Sequence, residues 1–125
     1  MVTQTQSILN LSLNEERAVR EFLTKVRIAF GGKVERAALF GSKVRGKSTE
    51  YSDIDILLIV TDDDWKFKKA IIGIGSDVSL DYDILMDIRI ISKNQWEYLA
   101  AIQAGLYQNI VRDAIALEWE LPKAA

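Results

Sequence analysis

The sequence predicts an α/β (α+β) domain around a small mixed β-sheet. Three observations predict it. Val34 to Phe40 and Asp53 to Val60 are apolar runs of strand length. The segments around them repeat apolar residues at helical spacing, as in Val19, Phe22, Leu23, Val26 and Phe30. Hydrophobic residues make up 49% of the 125, enough to build one core and too many for a disordered chain.

Taken in order, the elements run α-β-α-β-α-β-α-α in one domain spanning residues 1–125. Residues 1–12 are expected to be flexible, and the polar Met1 to Asn10 stretch has no signal-peptide pattern. Asn14 is the expected N-cap of the first helix, which Gly31-Gly32 ends. Val34 to Phe40 forms a short strand, and residues 42–47 have room for one or two helical turns. Asp53 to Val60 is the strongest strand. Asp62, Asp63 and Asp64 supply negative charge at the start of a helix from Trp65 to Ser76, which Gly73 and Gly75 weaken. Residues 79–91 read as a third, longer strand, and Ser92 as the N-cap of a helix through Trp96, Leu99 and Ala100. Residues 106–117 read as a last helical segment. Residues 122–125, after the only proline, Pro122, are expected to fray. Trp65, Trp96 and Trp119 are expected as core or interface anchors.

Composition excludes several chemistries. The chain has no cysteine, so it has neither a disulfide nor a thiolate zinc site, which fits a cytoplasmic protein. It has no histidine, which removes Ser-His-Asp and Cys-His machinery and every imidazole metal site. Any metal should be a hard cation held by oxygen: magnesium, manganese or calcium. No run reaches the ~18 apolar residues of a membrane span. The net charge of -2 argues against a nucleic-acid polyelectrolyte, and no direct nucleic-acid substrate is expected. The charge is nonetheless uneven. Residues 33–47 carry Lys33, Arg36, Lys43, Arg45 and Lys47 against Glu35 alone. Residues 48–64 carry Glu50, Asp53, Asp55, Asp62, Asp63 and Asp64 and no base. Such neighbours suit a phosphate ligand bridged by a divalent cation.

The stretch GSKVRGKSTEYSDIDILLIV holds the candidate site. Strand alternation puts Asp53, Asp55, Leu57 and Ile59 on one face. Two carboxylates roughly 6–7 Å apart at Cα repel one another unless a cation sits between them. On the third strand Asp81, Asp83, Leu85 and Asp87 share a face, so any of these acids is a candidate third carboxylate. Such an acid could also take the proton of an incoming hydroxyl. Upstream, Gly41 allows close backbone approach and the following turn offers free N–H groups to phosphate. The Ser42 hydroxyl, Lys43 or Arg45, and Gly46 complete a phosphate-binding loop. Ordinary residue usage produces Gly-Ser, ten residues, then Asp-x-Asp in on the order of one chain in several hundred.

Gly41-Ser42, ten residues, Asp53-x-Asp55 resembles the signature of the DNA polymerase β-like nucleotidyltransferase superfamily, and the fuller string resembles its minimal (MNT) group. YDILMDIRIISKNQWEYL and LYQNIVRDAIAL are similar to the closing part of such proteins, with Asp113-Ala114 where an acid-glycine pair is common. The resemblance implies a polymerase β-like nucleotidyltransferase fold, a small mixed sheet with helices on one face and the active site on the other, and it implies ATP as substrate and two Mg2+ ions, with Mn2+ a substitute. It implies that Asp53 and Asp55 hold metal and act in catalysis, with Asp83 as the third carboxylate and Asp81 as its fallback. Gly41 and Ser42 match the triphosphate-binding turn, and Arg45, Gly46 and Ser52 are further nucleotide-binding candidates. It also implies a partner. MNT proteins are commonly paired with HEPN ribonuclease toxins in hetero-oligomers, and the MNT antitoxin transfers AMP to a toxin tyrosine. Two other readings remain: an antitoxin that masks its HEPN partner by binding alone, and an aminoglycoside-type nucleotidyltransferase.

Overall fold

The computed structural model describes residues 11–41, 53–61 and 63–117. The first helix, α1 (Leu13–Phe30), starts at Ser12 rather than at the expected Asn14. The Ser12 hydroxyl accepts from the Glu15 N–H at 3.1 Å, and the Glu15 carboxylate accepts from the Ser12 N–H at 2.9 Å. This reciprocal box satisfies two donors that a helix start leaves free. Asn14 is instead spent on a tertiary contact, its side-chain N–H donating to the Tyr82 carbonyl at 2.9 Å. A short 3-10 turn, Gly31–Lys33, leads into strand β1 (Val34–Phe40). Strand β2 (Ile54–Val60) follows, and Asp64 caps α2 (Trp65–Tyr82) by accepting from the Lys66 N–H at 3.0 Å.

Helix α2 runs past the expected end at Ser76. Phe67, Ile71, Ile74, Val78 and Tyr82 continue one apolar stripe into the core, which outweighs the low propensity of Gly73 and Gly75. Gly75 contributes to the packing, because a Cβ there would stand 3.0 Å from Ile88 Cγ1. The helix ends at Asp83, whose φ of 53° is left-handed. Strand β3 (Met86–Ser92) therefore begins later than the expected residue 79. Ser92 caps α3 (Lys93–Ala101) as its position predicts, accepting from the Gln95 N–H at 3.1 Å. Helix α4 (Gly105–Asp113) follows, and then a short strand, β4 (Ile115–Leu117), where the sequence suggested only helix. Ala114 leaves α4 in extended backbone with φ −69°, so that exit requires no glycine. Trp65 is 64% exposed with the Lys69 ammonium over its ring, whereas Trp96 is packed against the sheet. Trp119 lies outside the described residues. Among the described residues no helix is long and apolar enough to cross a membrane.

The strands form one mixed sheet in the order β3-β2-β1-β4. β1 pairs antiparallel with both β2 and β4, and β2 pairs parallel with β3 through the α2 crossover. On one face Ile54, Ile56, Leu58, Val60 and Leu39 are fully buried against Phe22 of α1 and Ile71 and Val78 of α2. On the other face Leu57, Ile59 and Ile91 meet Ile110, Trp96, Leu99 and Leu106 of α3 and α4, so helices pack on both faces and not on one alone. The Trp96 and Tyr107 rings, 5.0 Å apart, tie those two helices together. This second cluster covers the far half of β2. Asp55, at the near half, is only half-buried, and Asp53 just before it is exposed.

Candidate functional site

The site is built where β1 ends and β2 and β3 begin. The alternation of β2 sends Ile54 and Ile56 into the core and Asp55 to the opposite face. Antiparallel pairing sets Asp55 opposite Phe40, the last residue of β1, so Gly41 follows directly beside it. Parallel pairing on the other side sets Asp55 opposite Asp87 of β3. A hydrogen bond from the Ile54 N–H to the Leu85 carbonyl, at 2.9 Å, locks this register at its start. Neighbouring strands lie about 4.8 Å apart, so the two carboxylates are forced together.

Gly41 closes the other side. Its φ is +86°, a conformation that L side chains rarely adopt. A Cβ there would overlap the Asp55 Oδ2 and stand 2.9 Å from its Cγ. The backbone of this turn thus touches the carboxylate with no side chain between them. Gly41→Ala is expected to destabilise the fold by about 1–3 kcal/mol and to displace Asp55. Thermal unfolding checks the first effect, and the chemical shifts of the Asp55 carboxyl carbon check the second.

The electrostatics follow from this crowding. Burial, then the charge of Asp87, then that of Asp53 push the Asp55 carboxyl up to about 6, and a proton on Asp55 donates to Asp87. Arg89, two residues beyond Asp87 on the same side of β3, pulls in the opposite direction. Among the described residues no three acidic side chains already converge as a metal-ligating set. Even so, the donors fit a hard divalent cation. They are carboxylate oxygens only, they repel, and a bound cation would replace the shared proton.

The structure separates the sequence-predicted candidates. Asp55 and Gly41 are brought together, and Asp53 lies exposed just ahead of β2, where Asp55 feels its charge. Ser42, Arg45, Gly46 and Ser52 lie outside the described residues. Asp83, the expected third carboxylate, does not lie on the third strand as its parity predicts. It is the left-handed cap of α2 and precedes the strand on which it was expected to face Asp55. The fallback, Asp81, lies inside the helix and likewise off the strand. The acid opposite Asp55 is Asp87, which shares their parity and is the only one of the three within β3. The helical stripe through Tyr82 is the signal that separates them. Arg89 went unrecognised, because a lone arginine in an alternating strand reads as ordinary surface charge.

Three comparisons bear on this site. The family described as nucleotidyltransferase domain matches residues 19–117. A Methanocaldococcus jannaschii protein named "Putative protein adenylyltransferase MJ0604" is 31% identical over 105 residues, covering 84% of this chain and 99% of that protein. A second from the same organism, "Putative protein adenylyltransferase MJ0141", is 41% identical over 69 residues, covering 54% of this chain and 70% of that protein. Among solved structures, a chain described as "Crystal structure of the toxin-antitoxin with AMP-PNP" superposes with a TM-score of 0.55 at 20% identity. That match covers 80% of this chain and 73% of the other, and it shows a shared fold. With a family match spanning β1 to β4 and a homologue aligned over nearly its whole length, this chain belongs to the nucleotidyltransferase domain family.

Proposed function

We propose that the chain is a cytoplasmic protein adenylyltransferase that moves AMP from ATP to a tyrosine hydroxyl of a HEPN ribonuclease toxin and so acts as its antitoxin. The observation that carries this reading is the Asp55–Asp87 pair held against the Gly41 backbone. The adenylyltransferase relatives support the reaction class, and the toxin–antitoxin fold neighbour supports the pairing with a toxin.

In this mechanism the triphosphate lies on the Gly41 side, where the turn backbone allows close approach. Ser42, Arg45, Gly46 and Ser52 are assigned to that nucleotide on the strength of the motif. Asp53, Asp55 and Asp87 would hold Mg2+, or Mn2+ in its place. When bound, such ions supply charge compensation and Lewis-acid polarisation of the phosphate. The acceptor hydroxyl approaches from the β3 side, and the Asp87 carboxylate takes its proton. The acceptor oxygen bonds to the α-phosphorus, the bond from that phosphorus to the β-phosphate bridging oxygen breaks, and pyrophosphate leaves.

The test incubates the chain with ATP labelled at the α-phosphate, Mg2+ and the HEPN protein encoded beside it. The expected result is label on a toxin tyrosine and loss of ribonuclease activity. Unlabelled toxin that is nonetheless silenced, also by Asp53→Ala, would establish masking by binding instead.

A further inference from the structure

Arg89 lies on the same side of the sheet as Asp55 and Asp87. It is exposed, and it lies on β3 opposite Leu57, two residues beyond Asp87 and on the same side. One strand rise repeated twice puts it roughly 6–7 Å past Asp87. It forms no ion pair among the described residues, although Asp55 feels its charge. Elsewhere in the chain several such charges are matched, as in Lys93 with Glu35 and Arg112 with Asp113.

The order of the strands gives this position a meaning. Gly41 ends β1, Asp55 lies on β2, and Asp87 and Arg89 lie on β3. If pyrophosphate departs over β1, an in-line attack brings the acceptor in over β3. This step rests on the function proposed above. Asp53, Asp55 and Asp87 are acceptor-only groups that would be taken up by the ions, so they offer no donor to a carboxylate on the acceptor. Arg89 offers that donor beside them. Its planar fork suits bidentate pairing with a carboxylate better than with a neutral group. We propose that Arg89 is a specificity-determining residue that binds a carboxylate flanking the acceptor hydroxyl, so that the chain selects acceptor segments in which that hydroxyl is set among acidic residues.

The test uses defined peptides in which a central tyrosine is flanked by Glu and Asp, by Gln and Asn, or by Lys. The full chain is labelled with nitrogen-15 and held with AMP-PNP and Mg2+, and the Arg89 Nε–Hε signal is assigned by its loss in Arg89→Lys. The acidic peptide should shift that signal, and the amide and lysine peptides should not. In parallel, transfer from labelled ATP should favour the acidic peptide by about tenfold in kcat/KM. Arg89→Glu should move the preference to the lysine peptide while leaving the KM for ATP unchanged. An Arg89 signal that ignores the acidic peptide, or that shifts equally with the amide peptide, overturns the proposal. So does a KM for ATP that rises with Arg89→Glu, which would place the guanidinium on the nucleotide. A specific shift without any transfer supports the Arg89 contact and counts against AMP transfer alone.

Discussion

Asp55→Asn is expected to lower nucleotidyl transfer by about 10³-fold or more while leaving a folded protein that is more stable than the parent in metal-free buffer at pH 7. The loss follows from position, since Asp55 is flanked by the Gly41 backbone on one side and Asp87 on the other. The gain follows from charge. The Asp55 carboxyl is raised from 3.8 to about 6 in the folded chain, chiefly by burial and by Asp87. Below pH 4 both folded and unfolded chains hold its proton, so it contributes nothing to stability. Between about pH 4 and 6 the unfolded chain releases the proton more readily, so the parent loses stability across that window and stays lower above it. Solvent screening at this half-buried group limits the loss to about 1 kcal/mol. The asparagine variant should lack that fall. Urea melts at pH 4, 5, 6 and 7 read it directly, and parallel slopes for the two proteins would refute it. Adding Mg2+ should then raise the melting temperature of the parent more than that of the variant.

Exchanging the two candidate third acids separates them. Asp87→Asn should reduce transfer by about 10²-fold or more, because it removes the oxygen facing Asp55 and the proposed proton acceptor. Asp83→Asn should keep activity within about twofold, since asparagine also tolerates the left-handed cap. Asp83→Gly should raise stability by up to about 1 kcal/mol by relieving that backbone, again with activity retained. Single-turnover transfer and thermal melts on the three variants decide the matter. Loss of transfer in both Asp83 variants, with Asp87→Asn active, would return the role to the helix cap.

Local features were legible in the sequence. The face of Asp55 follows from alternation, and the Ser92 cap from a hydroxyl ahead of a helical pattern. Gly41 was readable as a turn because a glycine after an apolar run has few other uses. The third acid was not readable in the same way. Strand parity treats Asp81, Asp83 and Asp87 alike, and only the true end of α2 tells them apart. That end depends on Ile74, Val78 and Tyr82 reaching the core, a tertiary contact that overrides two glycines. The Asn14 cap failed for a related reason. Asn14 is a good capping residue, but the box formed by Ser12 and Glu15 satisfies two donors, and Tyr82 claims Asn14. Strand β4 is three residues long and is defined by its pairing with Ala37, Ala38 and Leu39 rather than by any pattern of its own.

The parallel register of β2 and β3 makes the centre a checkpoint on assembly. Asp55 and Asp87 are 32 positions apart in the chain and meet only when the crossover has been completed in one alignment. A slip of a single residue would turn Asp87 toward α2 and drive Ile88 to the open side. A nascent or misthreaded chain still carries Asp53 and Asp55 side by side, but it lacks the Asp55–Asp87 pair. That pair is a product of finished folding, and its formation reports that the crossover is complete.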